Sequence, residues 1–127
     1  MRQIRDHELR LDEYWDWAAV ALFLLLTVDL LTSLWAADVV GIEHEANPVM
    51  AWLLTQSLEL IVLVHAGVLV LAVVFFYALF ETARDLPAGY RRPVALSIEV
   101  FLGLLVAAGL FVFANNLSLL VLGSSLL

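Results

Sequence analysis

Three long apolar runs, divided by two short polar stretches, set the pattern of this chain. The runs cover residues 18–37, 58–80 and 94–122. About twenty apolar residues at ~1.5 Å of helical rise reach ~30 Å, the hydrocarbon thickness of a bilayer. The pattern therefore predicts an all-α integral membrane fold with three transmembrane helices, forming a single transmembrane domain over residues 1–127. The third run, at roughly 29 residues, has to tilt or project from the membrane. The first is too long for the core of a signal peptide, and no convincing Ala-x-Ala site follows it, so it reads as a retained helix.

The stretches between the runs carry the punctuation. In the connector DVVGIEHEANP, Gly41 permits a turn, Asn47 suits an N-cap and Pro48 the first helical position after it. Beyond Pro48 the chain stays apolar to Phe80, more than one span needs, but Gln56, Ser57 and Glu59 interrupt it. That break predicts a short interfacial helix over 49–57, anchored by Trp52, before a second span that starts at Leu58; one long tilted helix is the alternative. Residues 81–92 read as a second loop, with Pro87, Gly89 and Tyr90 as turn and interface residues. Upstream of the first run, residues 1–16 are highly charged. Ile4, Leu11 and Trp15 recur there near helical spacing, which suits a short interfacial helix or a loosely ordered tail. Tyr14, Trp15 and Trp17 form an aromatic cluster of the kind found at headgroup depth.

Composition sharpens this picture. Of the 127 residues 64% are hydrophobic, against about half in a soluble domain, and mean hydropathy is +0.99. The net charge is −7, all six basic residues are Arg, and there is no Lys. An acidic, Lys-free chain suits a prokaryote of high-salt habitat, a halophile. The absence of a basic patch argues against nucleic acid as a partner. No cysteine is present, which excludes disulfides and thiolate chemistry. Arg2, Arg5 and Arg10 precede the first span, and Arg84, Arg91 and Arg92 follow the second. The other side carries Asp38, Glu43, Glu45 and Glu59 without an Arg. The positive-inside rule then predicts a multi-pass protein of the cell membrane with a cytoplasmic N-terminus and an extracytoplasmic C-terminus.

Ionisable groups at mid-bilayer cost ~2.5–3.5 kcal/mol on insertion scales, so they face other helices or water. Asp29 lies ~12 Å below the outer end of its run, His65 ~10 Å and Asn115 and Asn116 ~10 Å, from the helical rise. These positions predict an intramembrane polar layer of Asp29, Thr32, His65 and Asn115, with Glu99 too near the inner end to join it. Asp29, Thr32, Ser33 and Ala36 share one helical face. On the third run, Glu99, Gly103, Ala107, Ala114 and Ser118 form a stripe whose small members Gly103 and Ala107 suit close helix packing. Asn115 flanks that stripe and Asn116 points away from it. His65 is a lone polar group among Leu58, Val62, Leu69, Ala72 and Phe76.

Two functions compete for this layer. In one, Asp29, His65 and the asparagines fix helix packing, and the chain is a structural or accessory subunit that associates with itself or with another membrane protein through Gly103-x-x-x-Ala107. In the other, Asp29 and His65 form a charge pair or proton site in an outward-opening pocket, to which the connector adds Glu43, His44, Glu45 or Asn47, and the chain is a small transporter or channel subunit. The expected partners are the lipid bilayer and a second copy of the chain or another membrane protein. An enzyme is the weakest reading, because no nucleophile–base pair, phosphate loop or G-x-S-x-G is present. No cofactor and no metal site are expected: HEANP departs from H-E-x-x-H, with Pro48 where the second His belongs. Asn116-Leu117-Ser118 matches a glycosylation sequon only at membrane depth, where it carries no weight.

Asp29 and Thr32, Gly41, and Glu45, Asn47 and Pro48 together give the pattern Asp-x-x-Thr, Gly, Glu-x-Asn-Pro. In this the chain resembles a family of small prokaryotic membrane proteins of unknown function, with a haloarchaeal source the one its acidic composition favours. The match covers residues 29–50, under a fifth of the chain. The resemblance implies three or four spans and groups Asp29, Thr32, Glu45 and Asn47 as one site. The family often has a basic residue, commonly Lys, in the second span, where this chain has His65.

Overall fold

In the computed structural model, which describes residues 10–124 and 126, the chain is all-α, and no strand occurs among the described residues. Helix α1 runs from Leu11 to Val40, α2 from Pro48 to Leu53, α3 from Leu58 to Arg84 and α4 from Ala88 to Leu122. α1, α3 and α4 are long and apolar enough to cross a membrane. A 3₁₀ turn, Ile42–His44, lies in the connector.

Each span outruns the apolar run that predicted it. α1 begins at Leu11, so Tyr14, Trp15 and Asp16 belong to the first long helix rather than to a separate interfacial one; an interfacial helix farther upstream lies outside the described residues. α4 begins at Ala88, not Val94, and passes through Pro93. That proline removes one amide, the one that would serve the carbonyl of Gly89, in the second turn of the helix. The predicted loop over 81–92 shrinks to a turn of a few residues after Arg84, tied by the Leu86 amide to the Ala83 carbonyl. Polar residues such as Glu81, Arg84 and Arg91 extend the helices because a long helix satisfies its own backbone whether or not its ends remain in lipid.

The stretch after Asn47 is split, as Gln56, Ser57 and Glu59 predict. Asn47 Oδ1 accepts from the amides of Val49 (3.0 Å) and Met50 (3.4 Å), with Pro48 at the first helical position. Ser57 caps α3 by accepting from the Leu60 amide at 3.3 Å. α1 ends at Gly41, whose φ of 100° lies in the left-handed region that favours glycine.

α1 and α4 lie parallel and stay together along their length. Contacts between them keep an offset near 85 positions: Tyr14 with Glu99, Leu24 with Gly109, Ser33 with Asn116. They approach closely at Gly109, where an added Cβ would sit 2.7 Å from Leu24 Cβ. The contact face of α4 is thus Ile98, Leu102, Gly109, Asn116 and Leu119. Gly103 and Ala107 take no part in this face: both are exposed within the chain, and a Cβ on Gly103 would meet nothing.

α3 runs antiparallel to both and is held mainly at its ends. At one end Trp15 and Phe80 stack edge to face at 5.0 Å, and Tyr14, Ala18, Phe76, Phe80, Ile98 and Leu102 form a buried core. At the other, α2 fills the space beside α1, with Met50, Leu53 and Ile61 buried together against Leu30 and Leu34. Between them α3 presents apolar side chains such as Leu63, Val70 and Leu71 outward. Hydrocarbon is the solvent in which such a surface costs nothing.

Candidate functional site

Asp29 follows directly on a six-residue π-helical segment, Phe23–Val28, set within α1. The wider turn of a π-helix shifts the phase of everything after it, and such segments are frequent at functional sites. Here it aims Asp29, Thr32 and Ser33 together at α4. Asn116 answers them with a single nitrogen: Nδ2 donates to Asp29 Oδ1 (3.1 Å), Thr32 Oγ1 (2.8 Å) and Ser33 Oγ (3.2 Å). Ser33 Oγ in turn donates to Asp29 Oδ1 at 3.3 Å. Thr32 Oγ1 donates to the Val28 carbonyl at 2.7 Å, fastening the end of the π-helical segment. Ser33 and Asn116 are almost wholly buried, whereas Asp29 is half-buried.

The half-open side of Asp29 borders a cleft of about 280 Å³. Its polar lining is Asp29 from α1, Glu45 and Asn47 from the connector, and Asn115 and Asn116 from α4; Leu25, Phe111 and Val112 supply apolar wall. The connector reaches the cleft because Gly41 turns the chain back and the Asn47 cap fixes where α2 starts. Glu45 is tied into that geometry, since its Oε1 accepts the Asn47 amide at 3.2 Å. Among the described residues the hydrogen bonds to the Asp29 carboxylate fall on Oδ1. The lining holds two carboxylates and three amides, and no cationic side chain.

The predicted layer is thereby rearranged. Asp29 and Thr32 come together, and the asparagine that joins them is Asn116, not Asn115. Asn115 lines the same cleft, and its Oδ1 accepts the Leu126 amide at 2.8 Å. Asn116 points away from the Gly103–Ala107 stripe, one residue turns a helix by about 100°, and it is the face bearing Asn116 that α4 turns to α1. His65 stands apart: Nδ1 bonds the Ile61 carbonyl at 2.9 Å, on its own helix. No hydrogen bond or ion pair joins it to Asp29 among the described residues, although its ring stays within electrostatic range. Of the connector residues, Glu45, Asn47 and Ala46 border the cleft; Glu43 and His44 lie 3.8 Å from each other in solvent.

Chemically the arrangement suits a hard or small cationic guest, because every polar side-chain group able to face it is a carboxylate or an amide. Among the described residues no group of three or more His, Cys, Asp or Glu converges as a metal cage. Comparison with protein-family models, with curated proteins and with solved structures finds no match for the chain.

Proposed function

We propose that this chain is a small multi-pass membrane subunit whose Asp29 cleft binds a cation or a small cationic solute from the side of the bilayer opposite its arginines. One observation carries this reading: the cleft pairs the carboxylates of Asp29 and Glu45 with the amides of Asn47, Asn115 and Asn116, and places no positive side chain among them. A purely structural tether would need only Asn116 and its three acceptors; the addition of Glu45 and Asn47 around open volume favours a bound guest.

The orientation is part of the proposal. Arg10, Arg84, Arg91 and Arg92 lie toward one end of the bundle and the connector with Glu43 and Glu45 at the other, which under the positive-inside rule puts the N-terminus in the cytoplasm and the cleft outside. A path across the membrane is a different matter. Below Asp29, α1 and α4 meet through Leu24, Leu102 and Gly109, an apolar seam without polar steps. A role in transport therefore requires an assembly, of copies of this chain or with another membrane protein. The resemblance in Asp29, Thr32, Gly41, Glu45, Asn47 and Pro48 supports treating α1 and connector as one site.

Calorimetric titration of the protein in lipid nanodiscs with sodium, calcium and methylammonium chlorides tests the reading. Wild type binds at least one of them, and Asp29→Asn and Glu45→Gln each weaken that binding about tenfold, the loss expected for one charged contact. Asn at 29 retains an oxygen for Asn116 Nδ2, so folding survives the test. Equal binding by all three proteins, or none by wild type, ends the proposal.

A further inference from the structure

A second cleft lies at the other end of the α1–α4 seam, ~22 Å from Asp29 by helical rise. It has a volume of about 350 Å³ and is lined by Arg10, Glu13, Tyr14, Trp17, Glu99 and Gly103, with Leu102 behind them. Tyr14 is buried to 2% exposure, yet its hydroxyl reaches the cleft and donates to Glu99 Oε1 at 3.1 Å. The charges there are unequal. Arg10 pairs with Glu13 at 3.6 Å, whereas Glu99 has no ion pair among the described residues. The unmatched charge of the cleft is therefore a carboxylate held by a neutral hydroxyl. Trp17, half exposed, sets an indole on the same cleft. The wall of the cleft opens at Gly103, where the space a Cβ would fill is empty; Ala107, four residues on along α4, is exposed as well.

We infer that this cleft binds an amphiphilic ammonium, its nitrogen between the Glu99 carboxylate and the Trp17 ring and its hydrocarbon part laid over Gly103 and Ala107. A carboxylate without an ion-pair partner attracts a cation, an indole face adds to that attraction, and the cleft sets both beside the open space at Gly103. An anionic headgroup is disfavoured by the two carboxylates against one arginine. Two sources supply such a molecule, an amine-bearing phospholipid and a free alkylammonium, and the same contacts recognise both. The site is independent of the Asp29 cleft, with which it shares no residue.

The test uses the full chain in phosphatidylglycerol nanodiscs. Hexyltrimethylammonium is titrated by calorimetry; in a parallel arm, native mass spectrometry follows retention of phosphatidylethanolamine against phosphatidylglycerol from an equimolar mixture. Wild type binds the alkylammonium, or retains phosphatidylethanolamine in preference, and the arm that responds identifies the source. Glu99→Gln weakens binding about tenfold and Trp17→Ala roughly threefold. Gly103→Leu fills the open space while leaving every charge in place, and because nothing in the fold touches that position it abolishes binding without disturbing the bundle. Glu59→Gln, at the opposite end, leaves binding unchanged. Wild type that neither binds the alkylammonium nor distinguishes the two lipids overturns the inference, as does unaltered binding in Glu99→Gln and Gly103→Leu.

Discussion

At the arginine-bearing end α1 and α4 share one polar contact, Tyr14 to Glu99, beside an open cleft; ~22 Å along the same seam they share three, all through the buried Asn116. Helix pairing, register and direction are the same in both places, so the difference lies in burial and in the number of acceptors. Glu99 is exposed and could exchange Tyr14 for water. Ser33 and Asn116 are almost wholly buried, so water is a poorer substitute for the bonds made there. The seam therefore has a tight end that defines how the helices dock and a loose end that leaves a carboxylate available. Gly109 stands between them and sets the distance at which both operate.

Breaking that midpoint has the largest effect. Gly109→Leu drives a side chain into Leu24 at a close approach of the helices, where Cβ atoms would already be 2.7 Å apart. The helices must separate, with an expected loss of about 3 kcal/mol, the upper part of the range for overpacking. Unfolding by SDS titration in mixed micelles reads this directly. Both clefts should change together, so Gly109→Leu also weakens ligand binding at each end.

The tight end comes next. Asn116→Ala deprives three acceptors of their donor, and the expected cost is about 1–2 kcal/mol, near the maximum for interhelical hydrogen bonds in a membrane and within the range for an orphaned buried group. Asn115→Ala is the sharpening partner: it borders the cleft and its Oδ1 accepts from one backbone amide, where Asn116 donates to three acceptors, so it should cost less. If the two substitutions shift the SDS midpoint equally, the assignment of the tether to Asn116 fails.

Between the ends lies the connector. Asn47→Ala removes the cap of α2, for about 1 kcal/mol. Since Glu45 Oε1 is bonded to the Asn47 amide, hydrogen exchange at the amides of Glu45 to Met50 should accelerate while the amides around Tyr14 and Glu99 are unaffected. Acceleration at both ends would mean that the two sites are coupled through the seam rather than independent.

How much of this is visible in the sequence depends on which physical signal each feature leaves. The spans are plain because no aqueous core could hide such long apolar runs, and the Asn47-Pro48 start of α2 is plain because capping is local chemistry. Depth is also legible: counting residues puts Asp29 and an asparagine of the third span at one level. Phase is not. A π-helical segment carries no reliable sequence mark, and Phe23–Val28 rotates Asp29 relative to the turns before it. The stripe Gly103–Ala107 is exposed within the chain, because small residues mark a permitted approach without choosing its partner; Gly109, equally small, packs against Leu24. Tyr14 read as a headgroup aromatic because its partner lies 85 positions away. The offset changes from 87 at Asp29 and Asn116 to 85 at Tyr14 and Glu99, with the π-helical segment between them, so neither contact could be counted from the other.

The smallest expected effect tests the loose end. Tyr14→Phe removes the hydroxyl that donates to Glu99 and leaves the ring, which carries the packing against Phe80 at 6.0 Å. Because Glu99 is exposed, water replaces the lost donor, and stability should fall by less than about 0.5 kcal/mol, below the usual net value of a hydrogen bond. Deleting the partner as well, in Tyr14→Phe with Glu99→Gln, should then add nothing beyond the sum of the single changes. The same cycle run at the tight end, Asn116→Ala with Ser33→Ala, should show a coupling of about 1 kcal/mol. Comparable coupling energies at the two ends would show that burial does not separate them. The loose end would then be a second structural tether, and its carboxylate would not be free for a ligand.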